Sequence, residues 1–202
     1  MKVLLIGGTG FTGRSTAAYL KDAGHEVTIF HRGKTHLPEG SQQIIGDHTQ
    51  LEDFRPEFKR RAFDVVVDFI TGSKRQARRL MDLFRGITGH IVVLSSMDVY
   101  RAMGILRGTE DGPSQRVPLT EDSELRTRSQ YSKEELKGLV SILSYFDEEY
   151  EKIDVEETVL GDPELPATIL RLPMVYGPGR LHSSFSLSAE TDGRSPALRL
   201  VL

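Results

Sequence analysis

The stretch "KVLLIGGTGFTGRSTAAYL", residues 2–20, sets an apolar run, Val3 to Ile6, directly against Gly7, Gly8, Gly10 and Gly13. Glycine weakens strands and helices alike, so a cluster this dense needs a physical reason. A strand, a glycine-rich turn and a helix in that order supply one. Gly7 suits a tight turn, Gly10 lets backbone approach a diphosphate, and Gly13 lets the new helix lie against the strand. With Phe11 and Thr12 between them, these glycines open a helix whose first N–H groups and partial positive charge face the phosphates. The spacing Gly7-x-x-Gly10-x-x-Gly13 departs from the commoner G-x-G-x-x-G. A tight turn that binds nothing is the alternative, and the strand–turn–helix setting favours a dinucleotide site.

Outward from this stretch, short β-branched runs alternate with amphipathic helical stretches. "EVTIFH", "SQQIIGD", "FDVVVDFI", "GHIVVLSS" and "ATILRLP" read as further strands. In "GRSTAAYLKDAG", Ala17, Ala18 and Leu20 are positioned to pack and Gly24 to end the helix. "KRQARRLMDLFRGI" places Ala77, Leu80, Met81 and Phe84 at helical spacing. Near-continuous Val, Ile and Leu runs indicate strands buried on both faces, and their alternation with helices indicates right-handed βαβ units. The expected fold class is a doubly wound α/β parallel sheet of Rossmann type. Arg107 to Arg128, polar and rich in turn-formers, is expected to be a long surface excursion.

The chain has 202 residues, 38% hydrophobic and 27% charged, with a net charge of -3. That size and composition suit one sizeable globular domain. Mild acidity argues against nucleic acid as the main partner. The basic helix "SKRQARRL" carries no interleaved aromatic and reads as a solvated face. With no cysteine, disulfides and thiolate metal sites are excluded, and no metal site is expected. No apolar stretch approaches the roughly 20 residues that span a bilayer, and no signal peptide is read, so the expected location is cytoplasmic.

The end of the second strand bears on which dinucleotide binds. An acid there bonds the ribose 2′-OH of NAD, whereas an arginine suits a 2′-phosphate. "EVTIF" runs into His31 and Arg32, with Lys34 nearby, which favours NADP over NAD.

"LLIGGTGFTGR", "IIGDHTQLEDF", "HIVVLSSMDVYR" and "ATILRLPMVYGPG" together resemble the extended short-chain dehydrogenase/reductase superfamily, in its NAD-dependent epimerase/dehydratase branch. The resemblance covers most of the chain and keeps the motif order. It implies that Asp47 and His48 lie near the adenine and that Phe69, Ile70 and Thr71 line the cofactor cleft. It also implies that Ser96 occupies the catalytic Ser/Thr position, Ser95 supports the strand end, and Pro173 packs beside the nicotinamide.

The superfamily's chemistry uses a tyrosine with a lysine four residues on, and no tyrosine here meets that rule. The nearest substitute is "YEKIDVEE", in which Lys152 and Glu156 match the family's lysine and following glutamate, while Tyr150 stands two residues before the lysine. Within a regular helix those two side chains would point about 200° apart, so Tyr150 faces the site only if it precedes the helix or sits in a distorted first turn. A surface lysine and a packing tyrosine are the alternative. "QYSKEELKG" reads as an ordinary charged helix. Met174 stands where sugar-nucleotide enzymes of the family often carry Asn, and a thioether donates no hydrogen bond.

The expected activity is NAD(P)-dependent hydride transfer at a hydroxyl or carbonyl carbon of a small molecule, sugar-type compounds included. In it Tyr150 moves the proton, Lys152 lowers its pKa and holds the ribose, and Ser96 bonds the reacting oxygen. The competing expectation is a non-catalytic dinucleotide-binding protein with a structural, redox-sensing, RNA-binding or partner-binding role. Residues 1–178 are expected to form the dinucleotide-binding domain. Residues 179–202 are expected to begin an incomplete substrate region, in a fragment or a naturally shortened chain. A homo-oligomer is left open.

Overall fold

Parallel pairing of buried strands organises the molecule. The computed structural model describes residues 1–35, 37, 41–113, 115–142 and 147–176. Within it run β1 (Lys2–Ile6), α1 (Phe11–Asp22), β2 (Glu26–His31), β3 (Gln42–Ile45), α2 (Arg55–Arg61), β4 (Val65–Asp68) and α3 (Lys74–Phe84). These are followed by β5 (His90–Ser96), α4 (Arg101–Arg107), α5 (Lys133–Ile142), α6 (Lys152–Leu160) and β6 (Ala167–Leu172). The expected substrate region, 179–202, lies outside the described residues. The six strands form one parallel sheet in the order β3-β2-β1-β4-β5-β6. Chain order therefore reverses between β1 and β4, and a crevice opens at the strands' carboxyl ends there, where ligands bind in open α/β sheets.

Side chains alternate across the sheet with the period of two that strands impose. Val3, Leu5, Val27, Ile29 and Val67 pack on one face with Ala17 and Leu20 of α1. Leu4, Ile6, Phe30, Ile44, Val66, Ile91 and Val93 pack on the other with α2, α3 and α6. Phe30, Phe58 and Phe84 are fully buried there, each worth roughly 1.5–3 kcal/mol in burial. Phe58 meets Phe84 at 5.2 Å and Phe30 at 5.8 Å between ring centres. On α1, Ala17 is buried but Ala18 faces solvent, being about 100° further round the helix. Gly24, at φ +82°, turns the chain out of α1 as expected.

The segment after α4 runs over the surface as expected, with most of its described residues exposed, but it buries two charges. Glu110 and Arg126 are buried in it, and Leu125 forms a bridge with Tyr100. Glu110 accepts from the N–H groups of Thr127 and Arg128, and Arg126 donates to the carbonyls of Asp98 and Arg128 while pairing with Glu151. Polarity pointed to solvent, yet the charges are paired and bonded, which is what permits their burial. Glu151 caps α6, so this segment holds the start of the helix that carries Lys152. The far side of α6 is held by Arg171 on β6, which forks onto Glu156 at 2.8–3.2 Å and reaches the Tyr100 hydroxyl.

Candidate functional site

The glycine turn comes first because it sets the floor of the crevice. Gly7 adopts φ +81° and donates its N–H to the Phe30 carbonyl at 3.1 Å, joining β1 to β2. A Cβ on Gly13 would fall 2.5 Å from the Cα of Gly8, so α1 packs on the turn backbone itself. Gly10 begins α1 as its cap in extended backbone, and a Cβ there would meet no protein atom within 4 Å. No contact among the described residues requires that glycine. The first turn of α1 carries no acidic residue to offset its positive end.

The turn opens into a cleft of roughly 1090 Å³. At its β2 end stand His31, Arg32, Gly46 and His48. The His31 Nδ1 accepts from the Gly33 N–H at 3.3 Å, which places its proton on Nε2, 3.1 Å from the Gln43 Oε1. That ring fixes the exit of β2 and hence the position of Arg32. His48 is largely buried, and its Nε2 has no partner among the described residues. Burial lowers its pKa against the opposing pull of the Asp47 and Asp68 carboxylates. Asp47 itself does not line the cleft. Its carboxylate caps the following turn, accepting from the Thr49 N–H at 2.9 Å and the Thr49 hydroxyl at 2.8 Å.

At the β5 end the cleft is lined by Ser95, Ser96, Tyr131, Tyr150, Lys152 and Pro173. Tyr150 precedes α6, which begins at Lys152, so the helical separation of the two side chains does not apply. The Tyr150 backbone bridges to Ser73, and the Glu151 N–H donates to the Gly72 carbonyl at 2.8 Å. Asp147 anchors the same approach, accepting from the Ser73 hydroxyl at 2.9 Å and from Arg75 at 2.6 Å. Lys152 is 8% exposed, and its Nζ donates to the carbonyls of Thr71 at 2.5 Å and Leu94 at 2.8 Å, tying the ends of β4 and β5 together. The ammonium lies 5.9 Å from the centre of the Tyr150 ring. Burial lowers the Lys152 pKa to about 8, opposed by Asp68 and Glu156. The Ser96 hydroxyl donates to Asp98 at 2.9 Å, and Asp98 also pairs with Arg107 at 3.1 Å.

Gly72 leaves room for the Tyr150 ring, since a Cβ on it would fall 2.6 Å from Cδ2. Gly72→Ala is expected to displace that ring and to cost roughly 1–2 kcal/mol in a urea melt. The chain has no tryptophan, so the displacement is readable as altered tyrosine signal in the near-UV circular dichroism.

A model of the NAD dependent epimerase/dehydratase family matches residues 3–189. The chain belongs to that family. Its fold is similar to that of the UDP-Glc/GlcNAc 4-epimerase from Campylobacter jejuni, with a TM-score of 0.58 and 16% identity, over 84% of this chain and 52% of that one. Bordetella bronchiseptica WbmG, solved in complex with NAD, gives the same TM-score and identity over 85% and 52%. The chain is also 28% identical over 125 residues to the chloroplast stem-loop binding protein of 41 kDa b from Arabidopsis thaliana, covering 54% of this chain and 33% of that protein. It therefore spans a third of that curated relative and about half of the solved ones.

The epimerase/dehydratase family implies a nicotinamide dinucleotide, and the residues present fit one. Gly10 keeps space open where no protein atom fills it, and the unpartnered Nε2 of His48 stands in the wall at the β2 end. The cleft brings together Gly7, Gly10, Phe11, Thr12, Gly13, Arg32, His48, Phe69, Ile70, Ser96, Tyr150, Lys152 and Pro173. Thr71 and Asp47 stand apart. Thr71 lines a separate cavity of about 20 Å³, the space of a single water, behind Ile70. Its part in the cleft is indirect, through the carbonyl that holds Lys152.

Sequence reasoning missed Asp68, Asp98, Arg107 and Tyr131. Asp68 is 2% exposed; burial raises its pKa, against the N–H groups of Thr71 and Ile70 and the charge of Lys152. It closes the run "VVVD" at a strand's carboxyl end, which is the available signal. Tyr131 meets Tyr150 edge-on at 5.9 Å, and burial raises its pKa while Arg107 opposes the rise. No local pattern in "RSQYSK" announces that contact. No cluster among the described residues has the make-up of a metal site, and no helix among them is long and apolar enough to cross a membrane.

Proposed function

We propose that this chain binds a nicotinamide dinucleotide along the β1–α1 turn and exchanges hydride at a hydroxyl or carbonyl carbon of a small molecule. The observation that carries the reading is the convergence of the glycine turn, Ser96, Tyr150 and Lys152 on one cleft at the point where strand order reverses. When bound, the nicotinamide supplies or accepts the hydride. Tyr150 gives the proton to the oxygen of a carbonyl being reduced, or takes it from a hydroxyl being oxidised. Lys152 places positive charge beside that phenol and has one N–H beyond the two given to carbonyls. Ser96 can donate its O–H to the reacting oxygen by turning it from Asp98, the partner it has in the structure, while its own oxygen is held by the Asp98 N–H. Transfer of label from NADPH deuterated at C4 to a panel of carbonyl compounds tests the reading, and full retention of that transfer in Tyr150→Phe would remove Tyr150 from it.

NADP is the preferred coenzyme in this reading, because Arg32 lines the β2 end of the cleft and no acid takes that place. Arg32→Ala is expected to weaken NADP about tenfold and to leave NAD nearly unchanged, the difference a charge-assisted phosphate contact makes. Parallel calorimetric titrations check it, and equal losses for both coenzymes would count against the preference.

A second reading is a dinucleotide-binding protein without turnover. It is supported by Ser96 being bonded to Asp98, by Lys152 being bonded to main-chain carbonyls, and by the relative named a stem-loop binding protein. An RNA partner finds little support on α3, where Arg75 pairs with Asp147 and Arg79 with Glu52. Coenzyme binding without label transfer to any carbonyl compound would select this second reading.

A further inference from the structure

Three of the chain's five methionines, Met97, Met103 and Met174, converge on the β5 end of the cleft, together with Leu106. They arrive from three separate segments: the short turn after β5, helix α4, and the stretch after β6. Met174 is 43% exposed and Leu106 51%, so both present apolar surface at the cleft's mouth.

The charged groups beside this wall are partly engaged. Arg107 and Asp98 neutralise each other at 3.1 Å, and the Lys152 ammonium is turned onto two backbone carbonyls. A diphosphate needs several cations or free N–H groups, and among the described residues this wall offers only the third Lys152 N–H and the Asp98-paired Arg107. What it offers instead is flexible thioether surface, which adapts to irregular apolar shapes and makes favourable contacts with aromatic rings. The polar groups facing it, Tyr150 and Ser96, match one oxygen rather than many.

From this wall we infer that the substrate is a ketone, aldehyde or alcohol with an apolar aliphatic or aromatic body. The inference rests on the hydride-exchange reading above and assigns that site its substrate class. In the reductive direction hydride from the reduced nicotinamide coenzyme forms the new C–H bond, the carbonyl π bond breaks onto oxygen, and Tyr150 supplies the proton that completes the alcohol. The apolar body lies against Met97, Met103, Leu106 and Met174.

The test is calorimetric titration of the full chain with the straight 2-alkanones from 2-butanone to 2-octanone, with 4-phenylbutan-2-one, and with UDP-glucose, each with and without NADPH. Affinity is expected to rise roughly threefold per added methylene while UDP-glucose binds more weakly than 2-octanone. Leu106→Glu, at an exposed position, is expected to weaken 2-octanone about tenfold or more and leave NADPH affinity unchanged. A flat alkanone series, or UDP-glucose binding more tightly than every ketone, overturns the inference whether or not NADPH binds. A steep series in a chain that fails to bind NADPH supports the apolar ligand class and removes the hydride reading alone.

Discussion

Lys152→Met is expected to reduce hydride exchange by roughly 10³ and to remove one limb of the protein's pH dependence. Methionine keeps the length and apolar stem but withdraws the charge beside Tyr150 and both bonds that join the ends of β4 and β5. The pH behaviour follows from burial, which lowers the Lys152 pKa from 10.5 to about 8. Below pH 8 folded and unfolded chains both hold the proton, and the cost of burying the charge is fully present. Between 8 and 10.5 only the unfolded chain holds it, so the native state gains stability as pH rises, by up to roughly 3 kcal/mol. Urea melts of both proteins from pH 7 to 10 read this directly: the wild type gains on Lys152→Met across that window, and parallel curves would show that the native lysine keeps its proton as the unfolded chain does, with no lowered pKa. Exchange in the wild type is expected to fall on the alkaline side through about 8, where the ammonium is lost.

The environment that gives Lys152 these properties is assembled from distant parts of the chain, and this marks the limit of what the sequence discloses. The six strands, α1, α3 and the glycine turn are legible because each is a local pattern: apolar runs, helical spacing, and glycines between a strand and a helix. Lys152 is legible by resemblance, and so is its distance in sequence from Tyr150. What spacing could not decide was whether Tyr150 sits inside the helix or ahead of it. That depends on Glu151 capping α6, on Arg126 holding Glu151, and on Asp147 joining Ser73 and Arg75 across 72 to 74 residues of chain. Asp47 shows the converse: a residue in a family motif whose carboxylate turns to capping its own turn, as Asp after a strand commonly does. Tyr131 and Arg107 enter the cleft from either side of a polar surface segment that is pinned by two buried charges, Glu110 and Arg126, and no local pattern marks those two as inward-facing.

The glycine turn gives the second large effect, and two of its positions separate folding from binding. Gly13→Ala is expected to destabilise the fold by roughly 3 kcal/mol, although alanine is the better helix former by about 1 kcal/mol. The added Cβ would lie 2.5 Å from the Gly8 Cα and 2.6 Å from its carbonyl carbon, and backbone cannot yield as a side chain can. Helix α1 must withdraw from the turn, and its N–H groups withdraw with it. Coenzyme affinity is then expected to fall by at least 10². Gly10→Ala should behave differently. Its Cβ meets no protein atom within 4 Å, so the melt should shift by no more than about 1 kcal/mol, the usual difference at a helix cap. The same Cβ would enter the space a diphosphate needs, so affinity should fall by at least tenfold with the fold intact. Stability measured by urea, set beside affinity measured by titration, distinguishes the two. If Gly10→Ala bound NADP as the wild type does, the diphosphate would not rest on this turn, and Gly10 would be only the cap of α1.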